Sequence, residues 1–390
     1  MKVLHVTPYY NPSWAFGGIP RLVHGLCSKQ NTQCTKISVL TTDVLTQKRR
    51  LDVPPIRSTD NIQIMTLPNL SHRWTQKQFF SPQINQQAQK LVVNSDIIHL
   101  HGYRNLLLLW AQQLAQSHNI PFLYTPNGCL QIHERRLFRK KVWDILFPIP
   151  KNTNWVAVSE REREIMIDDF SIPPSKIQVI PNGIQEEEYT ATTTKTIEHK
   201  NPIKIGYLGQ LSPRKGVLDL LLAFEDLPQQ IELHIAGSDM GSLSAIQNTI
   251  DQFSPAKQSQ IFLHGILEGQ NRIQFLQELD IFVYPSQDEI FGIAVFEALM
   301  CDCSVIVGND SGCWEWVKKA QAGISFPPQD RKKLKEALLW SLDKRNQDTI
   351  QKQKNLGYQF IQKHLRYSSI AQQYIELYHN IYRRHVRTKQ

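Results

Sequence analysis

The chain of 390 residues lacks any apolar run that could cross a membrane, because a spanning helix needs about 20 mainly apolar residues and the longest tempting run, 106–111, is far shorter. The apolar N-terminal run, 1–7, leads into a turn-rich segment with no small-residue cleavage site, so it does not resemble a signal peptide. We therefore expect a cytoplasmic protein, one that at most lies on the cytoplasmic face of a membrane.

The sequence also has few cysteines and lacks the motifs of several common ligand sites. Its six cysteines do not share a zinc-ligand spacing with histidines, which favours ordinary thiols in a reducing compartment and no metal site. There is no Walker loop, no G-x-G-x-x-G pattern and no D-x-D acidic motif. The net charge of +9 is concentrated in the first half and the tail, where it suits an anionic substrate or membrane surface. No stacking platform accompanies it, so no nucleic-acid partner is expected.

Short runs rich in β-branched residues alternate with stretches long enough for a helix, and this alternation occurs twice. A polar, threonine-rich break at 185–202 separates the two sets. We predict an α/β protein of two Rossmann-like, doubly wound domains facing across a cleft, at 1–184 and 203–360, joined by a linker at 185–202. A basic helical tail at 361–390 is expected to pack back on the N-terminal domain.

The most informative segment, 284–300, combines an acidic loop, a glycine and a predicted helix. The free N–H groups at a helix start bind phosphate or sugar oxygens, and Gly292 there lets a ligand approach closely. Glu289 precedes the helix and Glu297 lies more than a turn into it, so both can face one extended ligand. Each carboxylate can accept two hydroxyl hydrogen bonds, as vicinal diols require. An acid among apolar neighbours, as Glu297 is, needs a partner.

Two further strand-to-helix turns are of a kind that approaches a ligand. The first, 206–216, ends in Arg214, Lys215 and a glycine, like a phosphate cradle with lysine as a point charge. A basic turn of this kind is more often plain surface, so the pattern alone does not decide. The second is a long loop, 8–21, that carries Gly17 and Gly18. A flexible loop would explain that glycine pair equally well.

Together and in this order, the three segments resemble the group 1 retaining glycosyltransferases, a family with the GT-B fold. The family's two-glutamate motif, which contacts the donor sugar and the ribose, is matched by Glu289, Phe291, Gly292, Ile293 and Glu297. The family's diphosphate-binding turn and Gly-Gly loop are matched by Gly209, Gln210, Lys215, Gly216, Gly17 and Gly18. The resemblance extends over nearly the whole chain.

This chain departs from the family pattern in the second half at two places. Gln210 stands where the family usually has arginine, and Arg214 is the candidate to supply the missing charge. Asp302 and Ser304 stand where the family commonly has glycine and proline. We expect that second departure to alter a turn and not the chemistry.

A third departure lies in the first half, where the family usually presents a histidine near the reacting sugar. Here the residue is Asn127, whose amide can hydrogen-bond a sugar hydroxyl but cannot take a proton. His101 and His133 lie nearby in sequence and are candidates to compensate.

The resemblance implies that a nucleotide diphosphate sugar binds the C-terminal domain and an acceptor binds the N-terminal domain. It implies a retaining transfer of a hexose-type sugar to a saccharide or lipid-linked saccharide, in surface polysaccharide or glycan biosynthesis. The catalytic residues would be Glu289, Lys215 and Asn127, with Arg214 and the matched motif residues binding the donor. We expect neither a metal nor a cofactor, because the nucleotide sugar is itself a substrate.

Two questions stay open from the sequence. The basic stretch 133–142 has interleaved apolar residues and would suit an anionic membrane surface, although a solvated helix explains it as well. The changes at Gln210 and Asn127 also allow a catalytically silent nucleotide-sugar-binding homologue. A sugar-nucleotide epimerase with the GT-B fold is the other alternative.

Overall fold

The computed structural model describes residues 1–31, 35–46, 49–69, 86–130, 137–185, 189 and 202–387, and these form two compact units. The first unit comprises residues 1–183 and 367–390, and the second comprises residues 184–366. Each unit is built on one sheet flanked by helices, as the alternation of strands and helices predicts.

The first unit has an eight-stranded sheet in the order β3-β4-β2-β1-β5-β6-β7-β8, parallel except for the edge pair β3–β4. The direction in which the strands are added reverses at β1, so the loops after β1 and β5 leave the middle of the carboxyl edge. The strands are β1 Lys2–Val6, β2 Lys36–Thr42, β3 Ile56–Thr59, β4 Ile62–Leu67, β5 Ile97–His101, β6 Phe122–Thr125, β7 Asn154–Ala157 and β8 Ile177–Val179. The helices are α1 Gly18–Gln30, α2 Gln86–Val93, α3 Leu106–Ser117, α4 Leu137–Leu146, α5 Glu160–Asp168 and the last helix, α14 Tyr367–Arg387.

The second unit has a six-stranded, wholly parallel sheet in the order β11-β10-β9-β12-β13-β14. Its direction reverses between β9 and β12. The strands are β9 Ile203–Leu208, β10 Ile231–Ala236, β11 Ile261–Gly265, β12 Ile281–Tyr284, β13 Ser304–Gly308 and β14 Ile324–Phe326. The helices are α6 Val217–Phe224, α7 Leu243–Asp251, α8 Pro255–Gln258, α9 Gly269–Glu278, α10 Ile293–Met300, α11 Gly312–Ala320, α12 Arg331–Leu342 and α13 Gln347–His364.

The boundary between the second unit and the tail lies at 366/367, six residues after the predicted one. Helix α13 continues through 360 because Ile361 and Leu365 are buried in the core of the second unit. Helix α14 then packs on α1, where Gly25 leaves room for the ring of Tyr367. Of the predicted linker, only residues 185, 189 and 202 are described.

The unusual Asp302 has a structural partner. It adopts a left-handed conformation, with φ of 60°, at the turn between α10 and β13, which accounts for the glycine common in the family. Its carboxylate lies 2.8 Å from the ammonium of Lys354 on α13, and Lys354 is only 3% exposed. The ion pair therefore connects the turn to a packed helix.

No helix in the described part of the chain is long and apolar enough to cross a membrane. Among the described residues the cysteines are free thiols, buried except for the half-buried Cys129. Cys34 lies outside the described residues.

Candidate active site

Two loops of the second unit meet where the strand order of its sheet reverses, the position at which open α/β sheets bind ligands. The loop after β9 turns through a short 3-10 helix, Pro213–Lys215, and then through Gly216, which has φ of 65°. A Cβ atom on Gly216 would lie 2.2 Å from the carbonyl oxygen of Pro285, in the loop after β12. Glycine is therefore required for this close approach, and it brings Lys215 to the neighbouring loop.

The half-buried Lys215 and Glu289 and the buried Tyr284 form a cluster between these loops. The Lys215 ammonium forms an ion pair with the Glu289 carboxylate and donates a hydrogen bond to the Tyr284 hydroxyl at 3.2 Å. That hydroxyl donates to the Glu289 carboxylate at 3.1 Å. Lys215 also lies 5.4 Å from the centre of the Tyr284 ring. The cluster thus brings together two residues that the sequence predicts for the site, separated by 74 positions.

The charges in this cluster stabilise each other against burial. Burial disfavours the ionised form of Glu289, but the positive charges of Lys215 and Arg214 and the hydrogen bonds outweigh it and lower the pKa of Glu289. Burial likewise opposes the charge on Lys215, yet the Glu289 carboxylate raises the pKa of Lys215. A carboxyl whose pKa falls on folding contributes stability above its unfolded pKa, and this is lost only as the pH falls through the folded value. The pair is therefore charged at neutral pH.

The donor-binding residues predicted around Lys215 occupy the same turn. Gly209 donates its N–H to the carbonyl of Ala236 at 3.0 Å, and the Gln210 carbonyl accepts the Tyr207 hydroxyl at 2.9 Å. Gln210 and Arg214 are exposed, and among the described residues the Arg214 guanidinium makes only a long hydrogen bond of 3.5 Å, to the Asp288 carbonyl. The Arg214 guanidinium is thus available to an anion at this turn.

Helix α10 begins at Ile293, immediately after Gly292. Gly292 has φ of −82°, so a left-handed backbone is not the reason for a glycine at this position. A Cβ atom there would lie 2.5 Å from the Tyr284 ring, so the missing side chain lets the helix start pack on the tyrosine that touches Glu289. Phe291 stacks on Phe296 inside the helix, with ring centres 5.1 Å apart.

Glu297 is buried, with 5% of its surface exposed, and its partner is Arg272 of α9. The guanidinium forms an ion pair with the carboxylate and also lies 3.5 Å from the Tyr189 hydroxyl. The two glutamates of the motif therefore have different cationic partners, Lys215 for Glu289 and Arg272 for Glu297.

In the first unit, the loop after β1 ends at the predicted glycine pair. Gly17 has φ of 94° and ends a short 3-10 helix, Trp14–Phe16, so the turn there favours glycine. Gly18 begins α1, and a Cβ atom there would have a neighbour only at 3.9 Å, the side chain of Leu22. Gly18 thus leaves open space at the start of α1.

Asn127 lies in the turn after β6 and lines a small pocket within the first unit. The pocket is also lined by His101, Thr125, Asn182 and Tyr374. Asn127 has φ of 51°, and its amide nitrogen makes a long hydrogen bond of 3.4 Å to the Thr125 carbonyl. Its amide oxygen is buried and accepts no hydrogen bond from the described residues. That oxygen is therefore a buried acceptor without a partner among the described residues, at the wall of the pocket.

Comparison with known proteins identifies the family. Residues 190–360 match the model of the glycosyl transferases group 1, and residues 16–188 match that of glycosyltransferase family 4. The chain belongs to the group 1 glycosyltransferases. An uncharacterized glycosyltransferase of Methanocaldococcus jannaschii is 22% identical over 367 residues, 88% of each chain.

A GDP-mannose:cellobiosyl-diphosphopolyprenol alpha-mannosyltransferase of Xanthomonas oryzae pv. oryzae is 23% identical over 310 residues, 77% of this chain and 76% of that protein. The solved sucrose-phosphate synthase of Thermosynechococcus elongatus superposes with a TM-score of 0.76 at 17% identity, over 98% of this chain and 99% of that one. The family resemblance and the GT-B fold predicted from the sequence are thus confirmed.

The sequence did not point to a buried histidine cluster that this glycosyltransferase has in its first unit. Ring nitrogens of His5, His99 and His101 lie within 4.8 Å of one another, a spacing that a metal ion could bridge. Hydrogen bonds nevertheless occupy them: His5 bonds to His101 and to Gln30, each at 2.9 Å, and His99 bonds to Thr125 at 2.7 Å. Burial lowers the pKa of His5 to about 4 and those of His99 and His101 well below the usual value. The rings are therefore neutral at physiological pH.

The His-x-His pattern of β5 was the signal for this cluster, because alternate residues of a strand face the same side. His101, one of the two predicted substitutes for the missing histidine, lines the same pocket as Asn127. The other, His133, lies outside the described residues.

Proposed function

We propose that this glycosyltransferase transfers a hexose from a nucleotide diphosphate sugar, with retention of anomeric configuration, to a saccharide or lipid-linked saccharide acceptor. The observation that carries the proposal is the cluster of Lys215, Glu289 and Tyr284 at the point where the strand order reverses. The Xanthomonas relative, which by its name uses GDP-mannose and a diphosphopolyprenol-linked saccharide, supports both substrate classes. A role in surface polysaccharide or glycan biosynthesis fits such an acceptor.

In the proposed reaction, the bond between the anomeric carbon and the diphosphate oxygen breaks while the acceptor hydroxyl oxygen bonds to that carbon on the same face. The departing diphosphate oxygen takes the acceptor proton. Lys215 and Arg214, with the N–H groups at the start of α10, stabilise the negative charge that develops on the diphosphate. These groups supply the charge that a metal ion would otherwise supply, so we propose that the transfer needs neither a metal nor a cofactor.

In this scheme Glu289 keeps Lys215 charged and directed, and it contacts the donor sugar. Glu297, which is paired with Arg272, would accept hydrogen bonds from the ribose. In the first unit, Gly17 and Gly18 leave room for a ligand at the start of α1, and the Asn127 amide oxygen accepts a hydrogen bond from a sugar hydroxyl. The role of each of these residues is a proposal, and single variants can test each role separately.

The donor can be identified by thermal stabilisation with a panel of UDP-, GDP-, ADP- and TDP-sugars. A donor at 100 times its dissociation constant should add about 2.7 kcal/mol, a rise in Tm of several degrees. Arg214→Ala should reduce this shift, because the exposed guanidinium is proposed to bind the diphosphate. Lys335→Ala is the control, since Lys335 pairs with Asp226 on the surface.

A shift with one class of sugar nucleotide, followed by turnover, supports the proposal. A shift without turnover towards any saccharide would favour the catalytically silent homologue, and release of an epimerised sugar from the donor alone would favour the epimerase. No shift with any nucleotide sugar would contradict the proposed donor class.

We also propose that helix α4 rests on an anionic membrane surface, where a lipid-linked acceptor would be found. Ile145 and Leu146 are 76% and 64% exposed, which is uncommon for large apolar side chains. Lys141 on the same helix is exposed as well. In a sedimentation assay with vesicles that contain about one third phosphatidylglycerol, the wild type should be found in the pellet with the vesicles. The variant Ile145→Ser/Leu146→Ser should stay in the supernatant. Equal retention of both proteins, or equal binding to pure phosphatidylcholine, would contradict this membrane contact.

A further inference from the structure

The turn that carries Asn127 in the first unit has an unusual backbone. Asn127 and Gly128 both have positive φ, 51° and 80°, and the N–H of Cys129 donates to the carbonyl of Pro126 at 3.1 Å. Two consecutive positive φ values closed by such a hydrogen bond are the features of a type I′ turn, in which asparagine followed by glycine is the preferred pair. The asparagine that replaces the family's histidine is thus also the residue that this turn favours.

The N–H of Gly128 is held by a residue of another element. Glu162 of α5 accepts it at 2.6 Å with one carboxylate oxygen. The other oxygen accepts the N–H of Val158 at 2.9 Å, and the N–H of Glu162 donates to the Ser159 side chain at 3.1 Å. Glu162 is only 1% exposed. An ordinary capping box satisfies N–H groups of its own helix, whereas this one also holds a turn that follows the neighbouring strand.

The N-terminal side of the turn is also fixed by hydrogen bonds. Thr125 is bonded to His99 at 2.7 Å and lies 3.4 Å from the hydroxyl of Tyr374 on α14. With Thr125 fixed on one side and Gly128 on the other, Asn127 has little freedom, and its unpartnered amide oxygen stays at the wall of the pocket.

We propose that Glu162 is a positioning residue for the transfer reaction, whose carboxylate fixes the Asn127–Gly128 turn so that the Asn127 side chain is directed into the pocket of the first unit, where it binds a sugar hydroxyl. This inference rests on the proposed function. Only a carboxylate offers two acceptor oxygens to two N–H groups, because the amide of a glutamine would turn a donor towards one of them. The ionised form of Glu162 is therefore needed to hold the turn.

Ionisation of the buried Glu162 carboxylate lowers the stability of the folded chain. Burial raises the pKa of Glu162 to about 7, although the N–H groups of Gly128 and Val158 act to lower it. The folded chain then holds this proton more tightly than the unfolded chain, so ionisation of Glu162 removes stability as the pH rises towards about 7. Among the described residues, the titratable groups that interact with its charge are Cys129 in the turn and Tyr374 on α14. Burial raises the pKa of both, so both are neutral there.

The test compares Glu162→Gln with Glu160→Gln in the whole chain of 390 residues. Glu160 lies on the same helix, is exposed and pairs with Arg163, so its variant makes the same chemical change without touching the turn. We expect Glu162→Gln to lower kcat about 10-fold or more while donor binding, measured by thermal shift, is unchanged, because small misplacements of a group at the site are costly. The wild-type kcat should rise with pH through about 7, and that rise should be absent in Glu162→Gln.

A double-mutant cycle with Asn127→Ala shows whether Glu162 acts through Asn127. In the Asn127→Ala background, Glu162→Gln should change kcat less than threefold. Equal losses in both backgrounds, or an unchanged kcat in Glu162→Gln, would overturn the positioning role.

If Glu162→Gln does not fold, the wild type still provides a test. In protein labelled with 15N-glycine, the Gly128 N–H signal, assigned with Gly128→Ala, should exchange slowly and shift with pH through about 7. A Gly128 N–H that exchanges at the rate of an open loop would refute the contact. Absence of donor binding in the wild type would contradict the proposed function, whereas normal turnover together with a mobile Gly128 would contradict only this inference.

Discussion

Lys215→Met should lower kcat at least 100-fold. The substitution keeps the alkyl chain but removes the ammonium that contacts Glu289 and Tyr284, and with it the charge proposed to stabilise the leaving diphosphate. Loss of one well-placed group that stabilises developing charge costs about 10²–10³-fold in kcat elsewhere. Steady-state kinetics with the donor identified by thermal shift would measure this loss.

The same variant should change the pH dependence of the residual reaction. Burial of Glu289 would no longer be opposed by the Lys215 charge, so the pKa of Glu289 should rise and the residual kcat should increase with pH. Lys335→Ala, at a surface pair of the same unit, is the control for loss of a lysine charge. A kcat of Lys215→Met within threefold of the wild type would exclude Lys215 from the chemistry.

The fold could be predicted from the sequence because its signals are local. Runs of β-branched residues and turn residues mark most strands separately, and the alternation of strands and helices seen in the sequence is the one observed in both units. The antiparallel edge strand β3, Ile56–Thr59, carries no such signal, because it is short, polar and largely exposed. The boundary before α14 was misplaced because it depends on which core buries Ile361, Leu365 and Tyr367, and this is not a property of the local sequence.

The site could be predicted only in part, since its contacts join segments that are distant in sequence. Glu289 and Lys215 were identifiable as candidates from their motifs. Their direct contact follows from β9 and β12 being neighbours in the sheet, which no spacing of residues reveals. Arg272 had no signal beyond the rule that a buried Glu297 needs a partner. Glu162 did have one, the Ser-x-x-Glu capping pattern, but its second contact depends on the pairing of β6 with β7.

Arg272→Met should have the largest effect on stability, lowering the free energy of unfolding of the second unit by about 3–5 kcal/mol. Arg272 and Glu297 are both buried, with side chains 11% and 7% exposed, so removal of the guanidinium leaves a carboxylate without its cation in an apolar helix. In a unit of this size the loss corresponds to a fall in Tm of roughly 10 °C. Calorimetry of the wild type and the variant would measure it, with Lys333→Met, at an exposed pair with Glu336, as the control.

The double variant Arg272→Met/Glu297→Met separates stability from function. Replacement of both members of a buried ion pair by apolar residues is often neutral, so much of the lost stability should return. If Glu297 also binds the ribose, the double variant should fold yet show a donor affinity at least tenfold weaker, because the hydrogen-bond acceptor is gone. Full donor affinity in a stable double variant would make the pair a purely structural one. The ligand role of the motif would then rest on Glu289 alone.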